Sequence, residues 1–110
     1  MATLSVKVIP HGGLTLANSD YQAATAGGDE SATGSGMLLL VKNADEAAHT
    51  VTLAVPQTVD GLAVSSREVQ VPAGDTAFIP LLDLYKAGNG LASWTYDAAA
   101  ELTVAVIRVA

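Results

Sequence analysis

The sequence contains no cysteine, so a disulfide, thiolate chemistry and a zinc site built on cysteine are all excluded. Basic residues are scarce as well: five Lys and Arg stand against eleven Asp and Glu, a formal net charge of −6 at pH 7. Binding to nucleic acid or to an anionic membrane surface needs a basic face, and five scattered cations do not supply one. We therefore expect neither nucleic acid nor membrane as a partner, and we interpret the acidic balance mainly as a source of solubility.

Aromatic side chains and long apolar runs are also few. One Trp, one Phe and three Tyr leave little with which to line a sugar-binding cleft. The longest apolar run falls far short of the roughly 18 to 20 residues that span a bilayer. What the sequence has instead is Ala, Val and Leu, and half of its 110 residues are apolar. A chain of this length is expected to fold as one domain, residues 1–110, and to bury about two-thirds of its unfolded surface.

Motifs for catalysis or cofactor binding are not found in the sequence. It has no G-x-S-x-G elbow, no H-E-x-x-H or related zinc spacing, and no G-K-[ST] ending on the Gly-rich stretch 27–36. His49 lies beside Asp45 and Glu46 and could weakly hold a metal, but an exposed turn histidine is the simpler interpretation. We therefore predict that the protein is not an enzyme, with no catalytic residue, no cofactor and no metal.

Short apolar stretches separated by turn residues predict an all-β fold. Residues 37–41 and 50–55 are expected to form a hairpin, residues 23–36 a flexible surface loop, and Gly74 a tight turn at positive φ. Val64, Val69 and Val71 are expected to point inward. The predicted strands are 3–9, 37–41, 50–55, 62–71, 76–80, 92–96 and 102–109, with one or two helical turns at 80–87. This pattern favours a small antiparallel β-sandwich or barrel-like domain with one short helical turn.

Two of the predicted strands are apolar on both faces. Every residue of 37–41 is apolar, and in 102–109 both alternating sets of side chains are largely apolar. Such a strand is expected to be covered on both sides, and the cover can be another part of the chain or another subunit. The candidate interface residues are Met37, Leu38, Leu40, Ala105, Ile107 and Val109.

Four stretches resemble a known family: LLLVKNADEAAHTVTL, VQVPAGDTAFIPLL, LYKAGNGLASWTYD and LTVAVIRV. They are similar to small proteins encoded beside the major capsid protein of tailed phages, especially phages of actinobacteria, that serve as head decoration (cement) proteins. The similarity covers most of the chain from about Leu38 onward, and its motifs are strand-and-turn patterns. It implies a β-rich, non-enzymatic virion protein on the outer capsid surface. The implied partners are the major capsid protein and further copies of the chain itself, with a homotrimer expected.

A second function class stays open, namely a carbohydrate- or receptor-binding β-sandwich module of a virion fibre or a secreted adhesin. Such a module needs exposed aromatic side chains on which a ligand stacks, and Tyr21 and Tyr85 are the candidates. Trp94 is expected to be a core or interface anchor instead. A hydrolase ranks third because no residue pattern supports one.

Overall fold

The computed structural model describes residues 2–109, and these form short β-strands with two single 3₁₀ turns, Asn18–Asp20 and Asp83–Tyr85. The all-β prediction is confirmed, and the second 3₁₀ turn lies within the predicted helical stretch. No helix in the described range is long and apolar enough to cross a membrane. The strands are β1 (Ala2–Thr3), β2 (Val6–Ile9), β3 (Gln22–Ala23), β4 (Asp29–Ala32), β5 (Met37–Asn43), β6 (His49–Leu53), β7 (Thr58–Val59), β8 (Leu62–Ala63), β9 (Arg67–Val71), β10 (Thr76–Pro80), β11 (Leu91–Tyr96) and β12 (Leu102–Val109).

Two sheets pack face to face as a β-sandwich. Sheet A has the order β1-β4-β11-β6-β9, and sheet B has the order β10-β5-β12-β2, with β3 also paired to β12. The pairs β1–β4 and β2–β12 are parallel, while the other pairs within the two sheets are antiparallel. Strands β7 and β8 pair only with each other and form a separate hairpin.

The core lies between the two sheets and is built from alternating side chains of each strand. Strand β6 alternates as its sequence predicts, with Val51 and Leu53 fully buried. In β12 one alternating set points into the core, and Trp94 of β11 is buried there as a large anchor. The core residues are Leu4, Met37, Leu39, Val41, Val51, Leu53, Val71, Ile79, Leu81, Tyr85, Ala92, Trp94, Leu102, Val104 and Val106.

The predicted hairpin of residues 37–55 is wrong, because β5 belongs to sheet B and β6 to sheet A. The loop between them crosses from one layer to the other, so both strands bury their inner faces against each other across the core. Asn43 supports this crossing: its Nδ2 donates to the Ala47 and Val71 carbonyls at 2.9 and 3.0 Å, and its Oδ1 accepts from the Asp45 N–H at 2.9 Å. A buried amide thus binds backbone groups of the crossing loop and of the end of β9.

The predicted first strand, 3–9, changes sheets part-way along. Strand β1 pairs in sheet A and β2 in sheet B, and Leu4 between them is buried in the core. The predicted strand 62–71 is likewise two strands, β8 and β9. Val71 is buried and Val69 half-buried as expected, whereas Val64 is 36% exposed and the inward assignment of this residue is wrong.

Two turn and loop predictions have opposite outcomes. The tight turn is confirmed: Gly74 has φ 76°, and the Asp75 N–H donates to the Pro72 carbonyl at 3.1 Å. The flexible loop predicted for 23–36 is wrong, because β4 lies within it and pairs with β11 and β1. Two of its polar residues, Asp29 and Ser31, are completely buried.

Candidate functional site

The six predicted interface residues lie in three different environments. Met37 points into the core, so it is placed on the inner face of its strand and not on an outer surface. Leu40, Ala105 and Ile107 are buried on the outer face of sheet B within the single chain, Leu38 is half-buried, and Val109 is 54% exposed. Only Leu38 and Val109 keep appreciable area for a contact, and a role for this set at an interface stays a prediction.

Residues 10–21, which we call the cover segment, run back across the outer face of sheet B. The segment starts after β2, level with the end of β12, and reaches the other end of the sheet. Lys42 Nζ donates to Asn18 Oδ1 at 3.0 Å, and Lys7 Nζ lies 3.6 Å from Asp20 Oδ1. Two outward-pointing lysines therefore hold the segment on the sheet. The second apolar face of β5 and β12 is thus covered in part by the chain itself.

The outer edge strands β9 and β10 lie on the same side of the sandwich and carry exposed apolar side chains. Phe78 is 62% exposed and Leu82 47% exposed, and Val69 is half-buried beside them. These three residues, the edge patch, surround a shallow pocket of about 160 Å³ together with Arg67. Strand β10 contains no charged residue, so its unpaired edge lacks the charges that usually protect an edge strand.

Residues 54–66, which we call the arm, connect two paired residues of sheet A, Leu53 and Arg67. The hairpin β7–β8 forms the tip of the arm. Asp60 and Gly61 connect its strands with φ values of 55° and 77°, the two left-handed residues of a type I′ turn. The arm is therefore an ordered hairpin that extends beyond the sandwich.

The tip of the arm is apolar. Val59 and Leu62 pair across the turn, and they are 67% and 70% exposed. Because they are directly opposite each other in an antiparallel pair, their side chains lie on the same face of the hairpin. Two aliphatic side chains thus form a small exposed knob.

His49 is held between two carboxylates at the end of the sandwich opposite the arm. Its Nε2 lies 2.8 Å from Asp45 Oδ2 and its Nδ1 lies 2.9 Å from Asp97 Oδ1. The ring is 7% exposed, so the prediction of an exposed turn histidine is wrong. Both ring nitrogens donate when the imidazole is protonated, and the arrangement, which we call the His49 clasp, ties the loop after β5 to the loop after β11.

The hydrogen bonds of the His49 clasp stabilise its charged forms. The bonds to Asp45 and then Asp97 raise the pKa of His49 above its usual value. The bond from His49 lowers the pKa of Asp45. For Asp97 burial acts in the opposite direction, but the bonds from His49 and from the Ala98 N–H together lower its pKa. With both nitrogens occupied, the ring has no free lone pair for a substrate proton, and the clasp fits a structural role.

Asp29 is the second polar centre, and it is fully buried. Tyr96 donates its hydroxyl to Asp29 Oδ2 at 2.6 Å, and the backbone N–H groups of Thr25 and Ala2 donate to the carboxylate at 3.2 Å each. Trp94 Nε1 in turn donates to the Tyr96 hydroxyl at 2.8 Å. Burial, with the bond to Asp29 adding to it, raises the pKa of Tyr96. The sequence signal for this network was weak, since Asp29 stands in a run of small polar residues.

The charges are distributed unevenly between the two ends of the sandwich. Loops 44–48, 72–75 and 97–101 meet at the end opposite the arm and contain no Lys or Arg. We call this the acidic end; its carboxylates are Asp45, Glu46, Asp75, Asp97 and Glu101. The arm end has three of the five basic residues, Arg67, Lys86 and Arg108, against the carboxylates Glu30, Asp60 and Asp83.

Neither metal binding nor a family assignment emerges from these findings. Among residues 2–109 no group of three or more His, Asp or Glu side chains is arranged to hold a metal ion. The chain matches no protein-family model, no curated protein and no solved structure.

Proposed function

We propose that this protein is a non-enzymatic structural protein of a phage virion, which binds the outer face of the capsid and stabilises or decorates it. The major capsid protein and further copies of this chain are the proposed partners, with a homotrimer as the expected state. The edge patch is the observation that carries the proposal. The sequence resemblance to decoration proteins supports the same class of function.

The edge patch has the properties of a surface that is covered in an assembly. An exposed Phe on an uncharged, unpaired edge strand is a site of unwanted association unless a partner occupies it. Burial of one such aromatic or Leu side chain contributes about 1.5 to 3 kcal/mol. A repeating capsid surface would multiply this modest gain if several copies bind together.

The uneven charge agrees with attachment by one side. A protein on the outside of a capsid needs one surface for the shell and another that stays in solvent. Five carboxylates at the acidic end supply a well-hydrated surface. The edge patch lies on the side of the sandwich. Of the three acidic loops, only the turn at 72–75 lies next to it.

The alternative, a carbohydrate- or receptor-binding module, has less support. Of its two candidate stacking residues, Tyr85 is buried in the core. Tyr21 is half-buried and has Lys42 Nζ 5.5 Å from its ring centroid. Neither ring offers an open face of the kind on which a sugar stacks.

Co-sedimentation with purified phage heads that lack decoration protein tests the proposal. The unaltered protein is expected to pellet with the heads, and Phe78→Ser combined with Leu82→Ser is expected to reduce its affinity by about tenfold or more. Leu14→Ser is the matched control, because Leu14 is an exposed Leu of the cover segment. Failure of the unaltered protein to bind heads, together with binding to a glycan array, would support the alternative module instead.

A further inference from the structure

We infer that the arm of one copy docks into a groove on a neighbouring copy of the same chain. The groove opens at the arm end of the sandwich, between β2 and the loop after β4, and has a volume of about 530 Å³. Its lining includes Val6, Val8, Thr33, Met37 and Arg108.

The groove is apolar because the inner face of sheet B continues there beyond the cover of sheet A. Val8 pairs with Arg108 one position before the end of the parallel ladder, on the face that carries Val6 and Val106 deeper in the sandwich. Val8 is nevertheless 48% exposed. An inward-facing position of the sheet therefore lacks its covering layer within the single chain.

The tip of the arm complements this groove in polarity. Val59 and Leu62 form a knob of two aliphatic side chains, and the groove, about 530 Å³ in volume, offers the exposed side chain of Val8 as a contact. Both surfaces are exposed in the single chain. Their contact would remove apolar area of both from water, which is the main favourable contribution to such an association.

Charge favours the same pairing. Asp60 stands at the turn of the arm, directly between Val59 and Leu62, and Arg108 lines the groove. Neither charge has an ion-pair partner within residues 2–109. An Asp60–Arg108 contact between copies would also offset the repulsion expected between chains that each carry a net charge of −6.

The topology places the arm and the groove on opposite sides of one end of the sandwich. The arm leaves sheet A between β6 and its edge strand β9, whereas the groove adjoins β2, the edge strand of sheet B on the other side. Copies standing side by side in the same orientation would each offer an arm to one neighbour and a groove to the other. Such a heterologous contact closes into a ring when the rotation between copies fits, as in a trimer.

The absence of cysteine allows a direct test by disulfide trapping. Val59→Cys and Val8→Cys are made separately, mixed in equal amounts and oxidised without any capsid. A covalent dimer is expected from the mixture, while Val59→Cys mixed with Ala73→Cys, at the exposed turn of the acidic end, is the control and should give little. Equal yields from both mixtures, or no dimer from the first, would overturn the inference.

A charge exchange gives an independent measurement by sedimentation. Asp60→Lys alone is expected to weaken self-association by about tenfold, and Asp60→Lys combined with Arg108→Asp is expected to restore it. In a chain with both Val59→Cys and Val8→Cys, crosslinked rings or oligomers are expected. A crosslinked monomer as the sole product would show that the arm folds onto its own groove and would overturn the inference.

This inference rests on the proposed function, because it describes how copies of the chain would associate. Its tests measure that association in solution, without capsids. If the crosslink fails to form but the protein still binds heads, only the proposed arm contact is wrong. If the crosslink forms but the protein does not bind heads, only the proposed capsid function is wrong.

Discussion

Gly28 combines a left-handed backbone with a close neighbour, and these two properties make a sharp prediction at the scale of one residue. Its φ is 108°, and a Cβ atom there would overlap the Trp94 carbonyl oxygen. Gly28→Ala is therefore expected to lower the free energy of unfolding by about 3 kcal/mol or more. Denaturant unfolding followed by circular dichroism measures the loss.

The neighbouring Gly27 supplies the control for that measurement. It also has positive φ, 91°, but no atom from elsewhere in the chain lies within 4 Å of the position that an added methyl group would take. Gly27→Ala should therefore cost only the left-handed strain, about 1 kcal/mol. Equal losses at the two positions would contradict the close packing of β4 against β11.

The His49 clasp makes stability depend on pH in a defined direction. Because the pKa of His49 is raised in the folded state, its contribution is complete below the usual pKa of about 6.5 and is lost as pH rises through the folded value. Asp45 and Asp97 have lowered pKa values, so their contribution is lost as pH falls below about 4. The melting temperature is therefore expected to be highest between about pH 5 and 6.

His49→Gln isolates the histidine part of this profile, because the amide does not titrate. The variant should melt at a lower temperature in mild acid, and the decrease of its melting temperature above pH 6 should be smaller than that of the unaltered protein. Thermal melts between pH 4 and 9 give the comparison. Parallel profiles for the two proteins would show that the clasp does not contribute.

At the scale of the strand, the outer and inner faces of β12 should respond differently to a charge. Val104 is fully buried in the core, and Ile107 is 6% exposed on the opposite face. Val104→Asp is expected to prevent folding, since an unpaired buried charge costs several kcal/mol. Ile107→Asp should leave a folded protein, because the cover segment can lift to admit water.

Limited proteolysis and circular dichroism separate these two outcomes. Cleavage of Ile107→Asp within residues 10–21, with the β-sheet spectrum retained, is expected. An unfolded Ile107→Asp protein would mean that the cover segment is as firmly packed as the core itself.

The strand patterns also show what the sequence can and cannot predict. Alternation in β6 identified this strand and its inner face, and the apolar run of β12 identified that strand, because side-chain period is a local property. The partner of each strand was not predictable. A hairpin of β5 and β6 would bury the same residues as their observed placement in two different sheets. Strand β4 was missed because its residues are small and polar and its burial depends on distant neighbours.

The candidate sites illustrate the same limit. The sequence placed His49 near Asp45, four residues away, but Asp97 reaches the ring only through the ladder between β6 and β11. The two-sided apolar pattern of β5 and β12 was visible, and it left open whether the chain or a partner covers the outer face. The contacts of Lys7 and Lys42 with the cover segment show that the chain itself covers part of this face, and the sequence of the segment contained no signal of that position.

At the scale of the whole molecule, the crossing of the chain between layers affects the folding rate. Strands that follow one another in sequence mostly lie in different sheets, so few pairings form early between close neighbours. Val6 pairs with Val106, so residues near the two ends of the chain must come together before β2 can pair. Domains dominated by such distant pairings fold in about milliseconds to seconds. Stopped-flow refolding, read from the fluorescence of Trp94, is expected to fall in that range, and a microsecond phase accounting for the whole signal would contradict it.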